Sequence, residues 1–247
     1  MRVFLAATSS LPRDKRDEVK KSKYILESFY SLEPWQLPYI KGAQDFLLDS
    51  GAFTFMATKK NAKINWGEYI EQYGEFVRKH DIKNFFELDI DPIVGYEKVL
   101  EYRAMLERIA NRQCIPVWHK SRGLEEYRKM CQEYSYVSIG GIVTRELKKQ
   151  HFNMFPAMIQ YAHENNARIH ALGFTQTTLL HKYHFDTVDS SSWTYGQRYT
   201  HACIFDGQNI IWKSFIQPGK RCRDLDKFNL FNFNEWLKFQ QYADLRL

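Results

Sequence analysis

Short apolar runs alternate with longer stretches whose apolar residues recur three and four apart, and this alternation continues along most of the chain. The short runs predict strands at residues 3–8, 46–49, 84–89, 115–119, 136–139, 169–173 and 185–188, with an eighth at 209–215 after an irregular insertion. Helices are predicted between them at residues 22–31, 66–80, 96–111, 124–134, 147–165 and 177–183. The clearest are 66–80, with Trp66, Tyr69, Ile70, Tyr73 and Phe76 at helical spacing, and 96–111, with Val99, Leu100, Leu106 and Ile109. Pro116 lies near the start of its strand, where a missing N–H is tolerable. Residues 228–247 are rich in aromatics and read as a terminal helix.

About eight β-α units without a linker favour an α/β fold of the (β/α)8 TIM-barrel type over a doubly wound open sheet. The 247 residues suit a single barrel domain, 1–247, in which 204–247 is a closing segment. No G-x-G-x-x-G follows the first strand and no G-x-x-x-x-G-K-[ST] occurs, so neither a dinucleotide nor a P-loop nucleotide is expected. No cofactor is expected either.

Composition adds a partner and removes a membrane. With 44% hydrophobic residues and no run near the roughly 20 apolar residues of a membrane span, the chain reads as a soluble cytoplasmic protein. Its first residues, 1–7, read as a strand and not as a signal peptide. The net charge of +6 favours a polyanionic partner such as nucleic acid. Basic residues gather over 13–23, at Arg145, Lys148 and Lys149, and over 213–223; solvated faces are the alternative explanation. Cys114, Cys131, Cys203 and Cys222 form no C-x-x-C pair, so free buried thiols are expected and no metal is.

Three predicted strands end in a carboxylate, and the C-terminal ends of barrel strands are where catalytic side chains gather. Asp49 precedes Ser50 and Gly51; it is either a loop-start aspartate bonding its own backbone or an acid/base. Asp89 and Asp91 share the parity of Glu87 if the strand persists, and a carboxylate there matches the N1–H and N2–H edge of guanine. For Asp91 a capping role before Pro92 is the alternative. His119 ends another strand as an acid, a base or a satisfied hydrogen-bonding residue. Gly140-Gly141 and Gly173 leave room and bare backbone at two further strand ends. Asp186 and Asp189 lie three apart, so they face opposite sides of an extended strand. Asp189, at the C-terminal end, is the candidate nucleophile; Ser190 to Ser192 would orient it and Trp193 would wall the pocket. A carboxylate nucleophile suits substitution at an anomeric carbon.

In this order, Leu48-Asp49-Ser50-Gly51-Ala52-Phe53, Leu88-Asp89, Ile139-Gly140-Gly141, Leu172-Gly173 and the segment 185–193 resemble the tRNA-guanine transglycosylase superfamily. The run Val188-Asp189-Ser190-Ser191-Ser192-Trp193 is most similar to its phage and bacterial DNA-guanine transglycosylase branch. The resemblance implies a pentosyltransferase that replaces guanine in DNA by a 7-deazaguanine through a covalent aspartyl-glycosyl intermediate. For a phage-encoded chain the site of action would be the host cytoplasm. Carried over by motif, Asp49 is the acid/base, Asp89 recognises the guanine edge, Gly140 and Gly141 contact the heterocycle, and Asp189 bonds C1′. Ser50, Gly51, Phe53, Asp91, His119, Gly173 and Trp193 complete the implied substrate site. Asp186 rivals Asp189, because the tRNA enzymes have a Phe-Asp pair where this chain has Phe185-Asp186. Those enzymes also carry a C-terminal Cys-x-Cys-x-x-Cys zinc subdomain, which this sequence lacks, so DNA is favoured over tRNA. The same exchange on tRNA and a non-catalytic nucleic-acid-binding partner of another transglycosylase are the alternatives. Dimerisation is left open.

Overall fold

The structure, a computed structural model, describes residues 1–52, 64–195, 201–214 and 225–247. Among these residues are β1 (Arg2–Ala6), β2 (Tyr24–Ser28), β3 (Asp45–Asp49), β4 (Asn84–Phe85), β5 (Val117–Trp118), β6 (Tyr136–Ile139), β7 (Arg168–Ala171) and β8 (Thr187–Ser190). They form one sheet of order β4-β3-β2-β1-β8-β7-β6-β5, with the parallel pairings expected when helices connect the strands. β9 (His201–Phe205) and β10 (Ile210–Ser214) form a separate antiparallel ribbon. The chain divides into two compact units, one of Met1–Leu26, Glu33–Asp45 and Ala171–Leu247, the other of Glu27–Leu32 and Phe46–His170.

In the first unit, β1 pairs with β2 through Leu5↔Ile25 and with β8 from Arg2↔Thr187 to Leu5↔Ser190. Val3, Phe4 and Leu5 are all buried, as a central parallel strand covered on both faces requires. The helix Leu225–Arg246 is fastened to these strands by side-chain amides. Gln240 donates from Nε2 to the carbonyls of Val3 at 2.8 Å and Tyr24 at 3.0 Å, and its Oε1 accepts the Lys23 N–H at 3.0 Å. Asn232 accepts the Cys203 N–H and donates to the carbonyls of Trp193 and His201. Phe233, Trp236 and Phe239 on the same helix are buried.

The second unit pairs β3 with β4 and β5 with β6. An isolated parallel bridge joins Phe86 to Ile115: the Ile115 N–H donates to Phe85 and the Glu87 N–H to Ile115. Helix Trp66–Lys79 starts on Asn65, whose side chain accepts the Glu68 N–H. It meets helix Tyr96–Ala110 at Gly74, where a Cβ would lie 2.8 Å from Ile109 Cγ2, so the close crossing depends on the missing side chain. Tyr73 on that helix donates from its buried hydroxyl to Leu48 and Phe86.

Three predicted elements differ. Residues 22–31, predicted helical, contain β2, in which Tyr24, Ile25, Leu26 and Glu27 are all buried; a short apolar run covered on every side carries no helical or strand period. The strand predicted at 84–89 stops at Phe85 apart from the bridge at Phe86, because Glu87 turns to buried arginines, so the shared parity of Asp89 and Asp91 does not hold. The stretch expected as the eighth barrel strand, 209–215, instead supplies β10, paired antiparallel with β9, and Phe215 lies outside the described residues. Among the described residues no helix is long and apolar enough to cross a membrane.

Gln240 bonds three backbone groups at once. Gln240→Leu keeps the volume and the helix but removes all three bonds, so urea unfolding should show a loss of about 2–3 kcal/mol. A loss below about 0.5 kcal/mol would show that the amide does not fasten the helix.

Candidate functional site

In the first unit, Asp189 is the third residue of β8 and is 8% exposed. Its Oδ1 accepts the Gly173 N–H at 2.6 Å, and Gly173 has φ 67°, a left-handed turn that favours glycine. Two of the predicted residues are thereby brought together. The buried hydroxyls of Ser190 and Ser192 bond each other at 2.8 Å, and Ser190 Oγ also accepts the Ser192 N–H, closing the tight turn after the strand. Trp193 does not wall an open pocket: it is fully buried, donates from its indole to the Ala6 carbonyl at 2.8 Å and packs edge-on to Phe233. Asp186 precedes the N-terminal end of β8, and its carbonyl accepts the Arg2 N–H at 2.9 Å.

In the second unit, Asp49 ends β3 and its Oδ2 accepts the Gly51 N–H at 3.0 Å, the loop-start bond foreseen as one alternative. Gly51 has φ 75°, and a Cβ there would lie 2.4 Å from Ser28 Oγ and 2.5 Å from Tyr30 Cβ, so two constraints require glycine. Ser50 is buried and its carbonyl accepts the Tyr69 hydroxyl.

Beyond β4 the chemistry gathers around two carboxylates. Glu87 is buried and takes Arg103 Nε at 2.6 Å on one oxygen, with Arg122 Nη1 and the Val117 N–H, each at 2.7 Å, on the other. Arg122 also grips Asp91 through Nε at 2.7 Å and Nη2 at 2.6 Å, and lies 4.3 Å over the Tyr96 ring. Burial acts to raise the Asp91 pKa, but the hydrogen bonds and charge of Arg122 overcome it and the pKa is lowered. Asp91 thus serves a buried ion pair at the start of a short helix, Asp91–Val94, and not a free recognition edge as expected.

His119 stands between Asp89 and Glu146, its Nε2 3.2 Å from Asp89 Oδ2 and its Nδ1 3.0 Å from Glu146 Oε2. Carboxylates only accept, so the imidazole fills both contacts only when both nitrogens carry protons. Burial opposes that cation, yet Asp89 by hydrogen bond and charge, with Glu146, raises the pKa to about 8. Burial also tends to raise the Glu146 pKa; the Ser121 N–H at 2.8 Å and His119 pull it below its usual value. Among the described residues His119 is the hydrogen-bond partner of Asp89, whose side chain is 22% exposed.

The paired glycines pack against this cluster. A Cβ on Gly140 would lie 2.8 Å from His119 Cε1, and one on Gly141, where φ is 80°, 2.9 Å from Glu146 Oε2. The Gly140 N–H is spent on the Trp118 carbonyl at 2.8 Å. The space that a Cβ would take at these glycines is therefore occupied by His119 and Glu146. Glu146 is absent from the sequence-based candidates because it sits among Arg145, Lys148 and Lys149, a stretch that reads as basic; those three are exposed.

Phe53 lies outside the described residues, as does most of the basic stretch 213–223 with Cys222. Cys114, Cys131 and Cys203 are free and buried, and burial pushes the Cys131 thiol up to about 11 and that of Cys203 to about 12. Among the described residues no three His, Cys, Asp or Glu side chains are grouped to hold a metal ion. Comparison with protein-family models and with curated proteins finds no match for the chain.

Removing Arg122 takes the cation from Asp91 and leaves the buried Glu87 with one arginine in place of two. Arg122→Met should cost about 3–5 kcal/mol in urea unfolding, more than a single surface ion pair can explain. His119 gives a pH signature of opposite origin. Its pKa is raised on folding, so its contribution is complete below pH 6.5 and is lost as pH rises through about 8. Between pH 6 and 9 the wild type should therefore lose about 2 kcal/mol more stability than His119→Gln. Parallel stability–pH curves for the two proteins would remove His119 from this role.

Proposed function

We propose that the chain is a base-exchange transglycosylase that replaces guanine in DNA by a 7-deazaguanine through a covalent aspartyl-glycosyl intermediate. The observation that carries this reading is the position of Asp189, buried near the C-terminal end of a parallel strand with one oxygen held by the Gly173 N–H. A carboxylate held by a backbone donor has a fixed direction of attack, which a nucleophile at an anomeric carbon needs. The assignment of the remaining roles follows the motif order of the sequence.

In the proposed reaction an Asp189 oxygen bonds C1′ as the C1′–N9 bond breaks, and the bonding pair leaves with guanine. Asp49 supplies the proton that N9 takes up. The incoming 7-deazaguanine returns a proton to Asp49, its nitrogen bonds C1′, and the Asp189 ester is released as carboxylate. No water enters, so no abasic site is left, and the phosphodiester bonds take no part in the exchange. Asp89 accepts from the N1–H and N2–H edge of the base, and selects guanine because adenine has no such pair of donors.

The net charge of +6 supports a polyanionic substrate, and DNA is proposed over tRNA on the likeness of residues 188–193 to the DNA-acting branch. A duplex hides C1′, so the reactive guanosine would be single-stranded or flipped out. Closure of the strands into a (β/α)8 barrel belongs to the same proposal; the Phe86–Ile115 bridge between residues flanking β4 and β5, the two ends of the strand order, supports it.

Purified chain incubated with labelled 7-deazaguanine should transfer label to single-stranded DNA, and Asp189→Asn should lower the rate at least roughly a thousandfold. Asp186→Asn should leave it within about threefold. Transfer to tRNA alone would move the substrate, guanine release without insertion would make the protein a hydrolase, and full exchange by Asp189→Asn would end its role as nucleophile.

A further inference from the structure

Glu146 has no part in the exchange as proposed, yet it is tied to Asp89 through a single side chain. Its Oε2 meets His119 Nδ1 at 3.0 Å and its Oε1 takes the Ser121 N–H at 2.8 Å, so both oxygens are used. The far nitrogen of the same imidazole meets Asp89 Oδ2 at 3.2 Å. The ring cannot swing away toward the strand end, since Gly140 is already packed against it closely enough to exclude a methyl group. Asp89 itself is partly exposed, and His119 is its hydrogen-bond partner among the described residues.

We propose that Glu146 and His119 are positioning residues for purine recognition: Glu146 holds the imidazole, and the doubly protonated imidazole holds one oxygen of Asp89 so that the carboxylate presents a fixed edge to the base. This rests on the reading of Asp89 as the acceptor for guanine and its 7-deaza analogue. The device is sensitive to pH by construction. A neutral imidazole has one N–H to share between two acceptors, so loss of a proton breaks either the grip on Asp89 or the hold of Glu146. The charged groups around the ring are Asp89 and Glu146 at its two nitrogens, with Arg122, which opposes the cation, and the Arg122-paired Asp91 nearby. Two neighbouring carboxylates outweigh burial and Arg122, and the imidazole holds its proton to a pH of about 8.

Recognition of the heterocycle should therefore weaken with rising pH while the bond-forming steps do not. In base-exchange assays from pH 6 to 9.5, the wild-type KM for free 7-deazaguanine should rise roughly tenfold as pH passes about 8, with kcat little changed. Glu146→Gln should shift that rise toward pH 6.5, and His119→Gln, which keeps an N–H toward Asp89 but cannot titrate, should flatten it. Glu146→Asp should restore part of the wild-type profile. A role confined to folding would lower kcat and stability alike without moving the pH limb.

NMR titration of the His119 imidazole in the chain without substrate reads the same device independently of turnover. It should titrate near 8 in the wild type and at lower pH in both Glu146→Gln and Asp89→Asn. An imidazole that titrates near 6.5, or that ignores either substitution, overturns the positioning pair whether or not the protein exchanges bases. If the titration behaves as stated but the wild type transfers no label, the proposed activity fails and the His119 linkage stands. Should exchange proceed with a KM that is flat in pH for both wild type and Glu146→Gln, the linkage to recognition fails and the activity stands.

Discussion

Glu87 is a carboxylate with no access to water, and in a medium of low dielectric it can persist only if cations come to it. Arg103 reaches it from helix Tyr96–Ala110 and Arg122 from the turn after β5, while the Val117 N–H closes the last position. Satisfying this one charge diverts the chain from the strand after Phe86 and brings the segments that carry Asp89 and His119 into register. Arg122 then donates from Nε and Nη2 to Asp91, which fixes the start of the following helix. A surface ion pair could be exchanged for another with little consequence; here each partner is buried and serves more than one neighbour.

His119 is governed by the same rule on the exposed side of that network. Its two ring nitrogens face two acceptor groups, so the geometry itself specifies the charge of the ring. The glycine pair follows from this requirement. A side chain at Gly140 would displace the imidazole and one at Gly141 would displace Glu146, so backbone without Cβ atoms is needed behind both groups. Glycines at a strand end are commonly read as room for a ligand, but the first occupant to consider is a neighbouring side chain.

Much of the fold was legible because parallel strands and their helices have different periods. The faces of Trp66–Lys79 and Tyr96–Ala110, and the strands Tyr136–Ile139 and Arg168–Ala171, follow directly from apolar spacing. β2 did not, because Tyr24 to Glu27 are buried on every side and such a run has no period to read. Residue type and position near strand ends picked out Asp49, Asp89, His119, Gly140 and Asp189 as candidates, but not the partners that give them their state. Glu87, Arg103 and Arg122 are separated by up to 35 residues and pair only through the fold. The indole N–H of Trp193 is satisfied by Ala6, 187 positions away, which no local pattern announces.

The contrast between Asp186 and Asp189 shows what chain polarity contributes when composition is silent. Both are aspartates of one short segment, and the sequence offers a motif argument for each. A parallel strand, however, has one end where it enters the sheet and another where it leaves, and a three-residue offset moves a side chain about 10 Å along it. Asp186 lies at the entry of β8, where its carbonyl accepts from Arg2 at the start of β1, and Asp189 is level with Phe4 further along the same pair. The loops at the leaving ends of parallel strands are where such folds assemble chemistry. Asp189 is near that end and is met there by the Gly173 amide, whereas Asp186 is anchored among groups that hold the sheet together. Strand direction thus sets two carboxylates of the same type at opposite ends of β8, one beside the backbone bond to Arg2 and the other on the Gly173 amide.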